Sequence, residues 1–230
     1  MKKLYFAAAM VAILALAGSA WATPVTIYRG AGFYSGDGGE FTIVGFGTPT
    51  ESLYAQIVNE NDRGFQSFCL ERDEYIDMRT PYNAEINPIN QAFGGGINTD
   101  AGDTISIGTA YLYYRFSIGS LTGYDYTVGS GREASAGALQ QAIWWLEDEL
   151  GADPITNGFL GLVADKFGGL GNAKADYTSG IYGVGVLNIT DGQVLKQDQL
   201  VRTTAVPEPA TMLLLGLGLV GLAGLRRKIS

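Results

Sequence analysis

Apolar residues follow three different patterns along the chain. Each end carries a nearly unbroken apolar run, Leu4 to Ala17 and Ala210 to Leu225, while the stretch between alternates. Val25-Thr26-Ile27-Tyr28 and Phe41-Thr42-Ile43-Val44 are short β-prone runs on either side of the turn-rich Tyr34-Ser35-Gly36-Asp37-Gly38-Gly39. Phe65 to Glu71 reads as a further strand. Period-2 alternation places Phe65, Ser67 and Cys69 on one face and Gln66, Phe68 and Leu70 on the other. Residues 82–106 are expected to be loop. The period then lengthens. A helix is expected from near Gly108 through Phe116, and a stronger one from Glu133 to Leu150, where Leu139, Ile143 and Leu146 recur at spacings of four and three. Glu147, Asp148 and Glu149 would crowd its last turn and oppose the helix dipole. Another helix is expected after Asp153-Pro154, to about Phe167. Strands return at Ile181 to Ile189 and at Gln199 to Val201, around a turn at Asp191-Gly192. The expected class is α+β: a mainly antiparallel sheet or sandwich with two or three helices, plus an N-terminal signal helix and a C-terminal transmembrane helix.

Composition narrows the chemistry. There is no histidine and one cysteine among 230 residues. A Ser-His-Asp triad, a Cys-His pair, His-ligated metal, an intrachain disulfide and cysteine-cluster sites are therefore closed to this chain. With 15 Lys+Arg against 23 Asp+Glu the net charge is −8. Five of those cations but only Glu208 among the anions lie in the two ends, so the middle is more acidic still. Such a surface repels phosphate backbones, and nucleic acid is not an expected partner. Glycine is abundant, at 33 residues, which suits many tight turns.

The ends have a transport logic. Lys2 and Lys3, the apolar run and Ala20-Trp21-Ala22 form the three parts of a secretory signal, with cleavage expected after Ala22 and Ala20 and Ala22 in the small-residue positions. Residues 1–22 are assigned to it, and Sec-type export machinery is the implied partner. At the other end, Val206-Pro207-Glu208-Pro209 precedes the second apolar run, and Arg226, Arg227 and Lys228 follow it. Sixteen residues at 1.5 Å each span about 24 Å, slightly less than a hydrocarbon core. The trailing cations would stay on the cytoplasmic side. The prolines favour an extended, protease-accessible segment ahead of the helix. Residues 206–230 resemble the PEP-CTERM sorting signal. That resemblance implies recognition by exosortase, a membrane cysteine protease of Gram-negative bacteria that make exopolysaccharide. The chain would pause in the inner membrane and then reach the cell surface or the medium. The exported domain is then 23–205.

Cys69 is the residue with chemistry to offer. A lone thiol in an oxidising compartment is either buried as a small hydrophobe or reactive. Phe68-Cys69-Leu70-Glu71 and Gln140-Gln141-Ala142-Ile143-Trp144 resemble the paired motifs of bacterial thioester surface domains. In those domains, a cysteine strand meets the glutamine of a T-Q-x-A-I-W helix. The resemblance implies a thioester between Cys69 and Gln140, with Gln141 as the neighbouring alternative. It departs from the family at Leu139, where threonine is usual. The implied function is a structural or adhesive surface protein that reacts once with an amine or hydroxyl on a partner. It would be no turnover enzyme and need no cofactor. The alternative is a non-covalent module associated with carbohydrate or exopolysaccharide, with Cys69 merely buried. Trp144 and Trp145 read as core. Glu147 to Glu149 read as a solvated face. Asn98, Asp100 and Asp103 lack an EF-hand spacing, and Asn188-Ile189-Thr190 matches a glycosylation triplet by pattern only.

Overall fold

A computed structural model describes residues 23–36, 38–45, 56–57, 63–87, 90–93, 102–151 and 156–203. Ala20, Ala22, Val206, Pro207, Glu208, Pro209, Arg226, Arg227 and Lys228, with the signal and transmembrane helices, lie outside these residues.

Seven strands form one antiparallel sheet: β1 (Thr23–Arg29), β2 (Phe41–Val44), β3 (Gln56–Ile57), β4 (Arg63–Ser67), β5 (Pro81–Asn87), β8 (Val184–Asp191) and β9 (Val194–Arg202). Their order is β3-β4-β2-β1-β5-β8-β9. A small ribbon, β6 (Gln91–Ala92) with β7 (Asp103–Thr104), stands apart. The sheet rolls over on itself. Beyond β4, the Leu200 amide donates to the Phe68 carbonyl and the Leu70 amide to the Asp198 carbonyl, both at 3.1 Å. The Ser67 hydroxyl donates to the Leu200 carbonyl at 2.6 Å. Cys69 and Gln199 form an antiparallel bridge. Segment 67–70 is thus the seam where the sheet closes against its last strand.

Alternation along the strands divides the interior in two. Val25, Ile27, Phe41, Ile43, Phe65, Cys69, Leu187, Ile189 and Val201 pack together on one face. Phe68, Leu70, Val186 and Leu200 turn the other way and meet the helices. The predicted alternation through Phe65 to Leu70 therefore holds, although the regular strand ends at Ser67 and Cys69 is held by a single bridge.

The helices are α1 (Ile107–Ser117), α2 (Ser130–Leu146), α3 (Gly158–Phe167) and the short α4 (Leu170–Ala173). Two starts are capped by side chains: Ser106 Oγ accepts from the Thr109 amide and Asn157 Oδ1 from the Phe159 amide. Gly168, at φ 72°, closes α3 in the left-handed conformation. Among the described residues no helix is long and apolar enough to cross a membrane.

Three sequence expectations need correction. The span 82–106 is not all loop. Pro81–Asn87 is an interior strand pairing with both β1 and β8, and its Tyr82, Ala84 and Ile86 carry the apolar alternation. The opening proline and the strand-poor asparagine and glutamate between the inward residues hid the pattern. The long helix begins and ends earlier than predicted. The acidic triplet lies beyond it, with Glu147 as the cap and Asp148 at φ 62°. The triplet is not a solvated face either. Glu147 accepts from the Ser106 amide at 3.1 Å, Glu149 from the Arg72 amide at 3.0 Å, and Asp148 pairs with Lys174. Placed past the helix, these acids serve as ties to neighbouring segments. The Asn188 triplet stays a pattern only, as expected from its place in a strand: Asn188 donates to Asp198 Oδ2 at 2.6 Å and to the Gln91 carbonyl at 3.1 Å.

Glu147 gives the fold a pH dependence. The residue is partly exposed, but its carboxyl faces inward. Burial pushes the carboxyl up to about 7, against the hydrogen bonds that Thr109 and Ser106 supply and with the nearby Asp103 adding to the rise. The folded state therefore binds more protons than the unfolded chain between about pH 4.5 and 7. Stability should fall as pH rises through that window. Urea midpoints at pH 5 and 8 check this, and Glu147→Gln is expected to flatten the slope.

Candidate functional site

The seam and α2 bring the two predicted residues together. Cys69 is fully buried, and Gln140, 71 positions later, is buried beside it. The Cys69 thiol lies 3.3 Å from Gln140 Oε1. Two further bonds clamp the carboxamide. The Cys69 amide donates to Oε1 at 3.1 Å, and Gln140 Nε2 donates to the Cys69 carbonyl at 2.8 Å. This pair fixes which end of the amide is which, because the flipped carboxamide would set donor against donor and acceptor against acceptor. Gln141 is exposed, so Gln140 alone meets the thiol.

The helix achieves this by carrying two faces. Leu139, Ala142, Ile143 and Trp145 join the helical core, while Trp144, one turn after Gln140, packs with Cys69 against the inner face of the sheet. Loop 30–40 crosses above. A Cβ at Gly38 would stand 2.5 Å from Gln140 Cγ and 2.7 Å from the Trp144 ring. One at Gly39 would stand 2.2 Å from the Phe68 ring and 3.1 Å from Gln140 Oε1. Only glycine lets the loop approach this closely.

A buried ion pair fastens that loop. Glu40 accepts from Arg132 Nη2 at 2.5 Å and Nε at 2.7 Å, and from the Tyr124 hydroxyl at 2.7 Å. The guanidinium also lies 4.2 Å from the centre of the Phe33 ring. Burial lowers the basicity of Arg132, but the Glu40 carboxylate outweighs it and the net shift is upward. The Gly32 amide donates to Glu133 and the Gly129 amide to the Gly32 carbonyl, so the start of α2 and the loop are tied at three points.

Glu71, the last residue of the cysteine motif, also serves the seam. Its Oε2 accepts from the Asp198 amide at 2.7 Å, anchoring β9 beside Cys69. Burial, then the charge of Asp198, pushes its carboxyl well above the usual range. Burial likewise pushes the Cys69 thiol well up. Glu71 adds to that rise, while the Cys69 backbone and the Trp144 indole pull it back. The thiol is thus kept largely protonated at neutral pH.

A cavity of about 720 Å³ opens over the site, with Arg29, Arg72, Tyr75, Gln140, Gln141 and Trp144 among its lining. Tyr75 stands 81% exposed at its edge. Asn98 and Asp100 lie outside the described residues. Among the described residues no group of three His, Cys, Asp or Glu side chains is arranged to hold a metal. Sequence reasoning singled out Cys69 and Gln140, gave Glu71 only as part of the motif, and missed the Gly38-Gly39 approach and the Glu40–Arg132 tie. Both depend on contacts between distant segments. The spacing of four between Gln140 and Trp144 was the one signal that could have placed the indole at the site.

The arrangement suits acyl transfer at the Gln140 carbon. Sulfur stands beside the amide, one N–H points at the oxygen on which charge would develop, and both side chains are buried. A family model describing the PEP-CTERM protein-sorting motif matches residues 205–228. The chain therefore carries the signal of an exported protein that exosortase processes at the membrane on its way to the surface. No curated protein and no solved structure matches the chain.

Proposed function

We propose that this exported, exosortase-processed protein is a single-use covalent adhesive whose reactive group is an internal thioester between Cys69 and Gln140. The observation that carries this reading is the apposition of the only thiol and one buried carboxamide, held by both peptide groups of the cysteine itself. Sulfur attacks the side-chain carbon, the C–N bond breaks, and ammonia leaves with the thiol proton. The Cys69 amide supports the oxygen during the attack. A lysine amine or a hydroxyl on a partner, entering through the cavity, then forms an amide or ester, and the thiol is returned. The setting is the cell surface or its exopolysaccharide matrix, after the inner-membrane intermediate is trimmed.

Intact mass tests this on mature protein from cells. Thioester formation removes one ammonia, about 17 Da, and methylamine then adds about 31 Da. Cys69→Ala should show neither change. A mature mass of the free thiol, inert to methylamine, overturns the reading. In that case the exposed Tyr75 at the cavity edge favours the non-covalent carbohydrate module. Glycan binding that Tyr75→Ala abolishes would be its mark.

A further inference from the structure

Both directions of the thioester reaction place negative charge on the Cys69 sulfur. It gathers as the thiol proton departs during formation, and again as the C–S bond breaks during opening. The surroundings oppose this. The sulfur is buried, and Glu71 and Glu149 add unfavourable charge. The Cys69 backbone N–H is already engaged with Gln140 Oε1. What the pocket has left is an indole. Trp144 is only 7% exposed, and its Nε1–H has no hydrogen-bond partner of normal geometry. A buried donor left without a partner is costly, so its presence in a packed site calls for a use. It belongs to the same packed cluster as Cys69, and its ring shares the Gly38 contact with Gln140. Of the charged and polar groups around the sulfur, the indole is the side-chain donor that favours the thiolate.

We infer that the Trp144 indole N–H is the catalytic donor to the Cys69 sulfur, orienting the thiol for attack on Gln140 and stabilising the thiolate that leaves when a partner amine opens the thioester. The inference rests on the thioester reading above. In formation, the S–C bond forms and the C–N bond breaks, and ammonia carries off the thiol proton. In opening, the amine nitrogen bonds to the carbon, the C–S bond breaks, and the sulfur receives the proton that the amine sheds. In each case the N–H strengthens its bond to sulfur as charge grows there, which is the condition for accelerating the step.

The test compares the mature parent with Trp144→Phe and Trp145→Phe. The second is the packing control, equally buried but facing the helical core. Thioester content is read by intact mass, and opening by the methylamine rate. Trp144→Phe is expected to slow opening by about tenfold or more, the worth of a hydrogen bond to a charged group. Trp145→Phe should react at close to the parent rate. Equal slowing in the two variants, or none in Trp144→Phe, overturns the inference. If Trp144→Phe does not fold, the isosteric benzothienylalanine at 144 replaces it, since that side chain keeps the bicyclic shape and lacks only the N–H. A further measurement stands apart from the thioester. In Gln140→Ala, which cannot form it, alkylation of the single thiol is followed against pH with and without Trp144→Phe. The midpoint should rise when the N–H is lost. An unmoved midpoint overturns the N–H–sulfur contact even where the parent carries a thioester. A parent without the mass deficit overturns the thioester instead, while the midpoint still decides the contact.

Discussion

Gly39→Ala is expected to abolish or sharply reduce thioester formation and to lower stability by roughly 2–4 kcal/mol, combining overpacking with a strained backbone. Gly39 has φ 29°, and the added Cβ would lie 2.2 Å from the Phe68 ring. That ring cannot retreat cheaply. It is fully buried and meets Phe116 edge-on, with centroids 5.0 Å apart. Phe68 directly precedes Cys69 along the seam, so moving it shifts Cys69, and the same Cβ crowds Gln140 Oε1. Both Cys69 and Gln140 are thus displaced by one methyl group. Gly36→Ala is the control. It also sits at positive φ, 51°, but a Cβ there meets nothing within 4 Å. It should therefore show the backbone cost alone and keep the mass deficit. Intact mass and thermal midpoints of the two variants check this. A normal deficit in Gly39→Ala would show that the loop does not constrain the pair.

What could be read from the sequence depended on how local the cause was. The strand at Val25 to Tyr28, the turn-rich loop after it and the alternation through Cys69 are set by neighbours two residues away, and the structure keeps them. Pro81–Asn87 escaped notice because it opens on proline and sets strand-poor Asn83 and Glu85 between Tyr82, Ala84 and Ile86, so pairing with β1 and β8 outweighs its low propensity. The end of α2 was misplaced for a related reason. Glu147 to Glu149 already opposed the dipole of a helix carried to Leu150, and Ser106, Lys174 and Arg72 hold them in ties beyond its observed end at Leu146. The Cys69–Gln140 pair was legible only through two short motifs. Nothing in spacing or hydropathy dictates that residues 71 apart should touch. The closure of the sheet through Phe68 and Leu70 brings them together, and that closure depends on backbone hydrogen bonds to a strand some 130 residues later.

The tie between Glu40 and Arg132 should dominate the stability of the loop over the site. Arg132→Met is expected to cost roughly 3–5 kcal/mol, because it strands a carboxylate that has no exposure, leaving the Tyr124 hydroxyl as a neutral partner. For a domain of this size, each kcal/mol lowers the melting temperature by about 2–4 °C, so a fall of roughly 6–20 °C is expected. Removing both charges is a different matter. In Glu40→Gln with Arg132→Met, the desolvation cost of the pair disappears together with its attraction, and much of the loss should return. A double-mutant cycle on melting temperature and urea midpoints reads the coupling. Thioester content should follow the loop rather than the charge. The single Arg132→Met is expected to lose the mass deficit along with stability, because Gly38 and Gly39 no longer hold Gln140 against Cys69. The double variant should recover part of both. Recovery of stability without any recovery of the deficit would mean that the ion pair positions the loop through its geometry, and that a neutral pair of similar volume cannot do so.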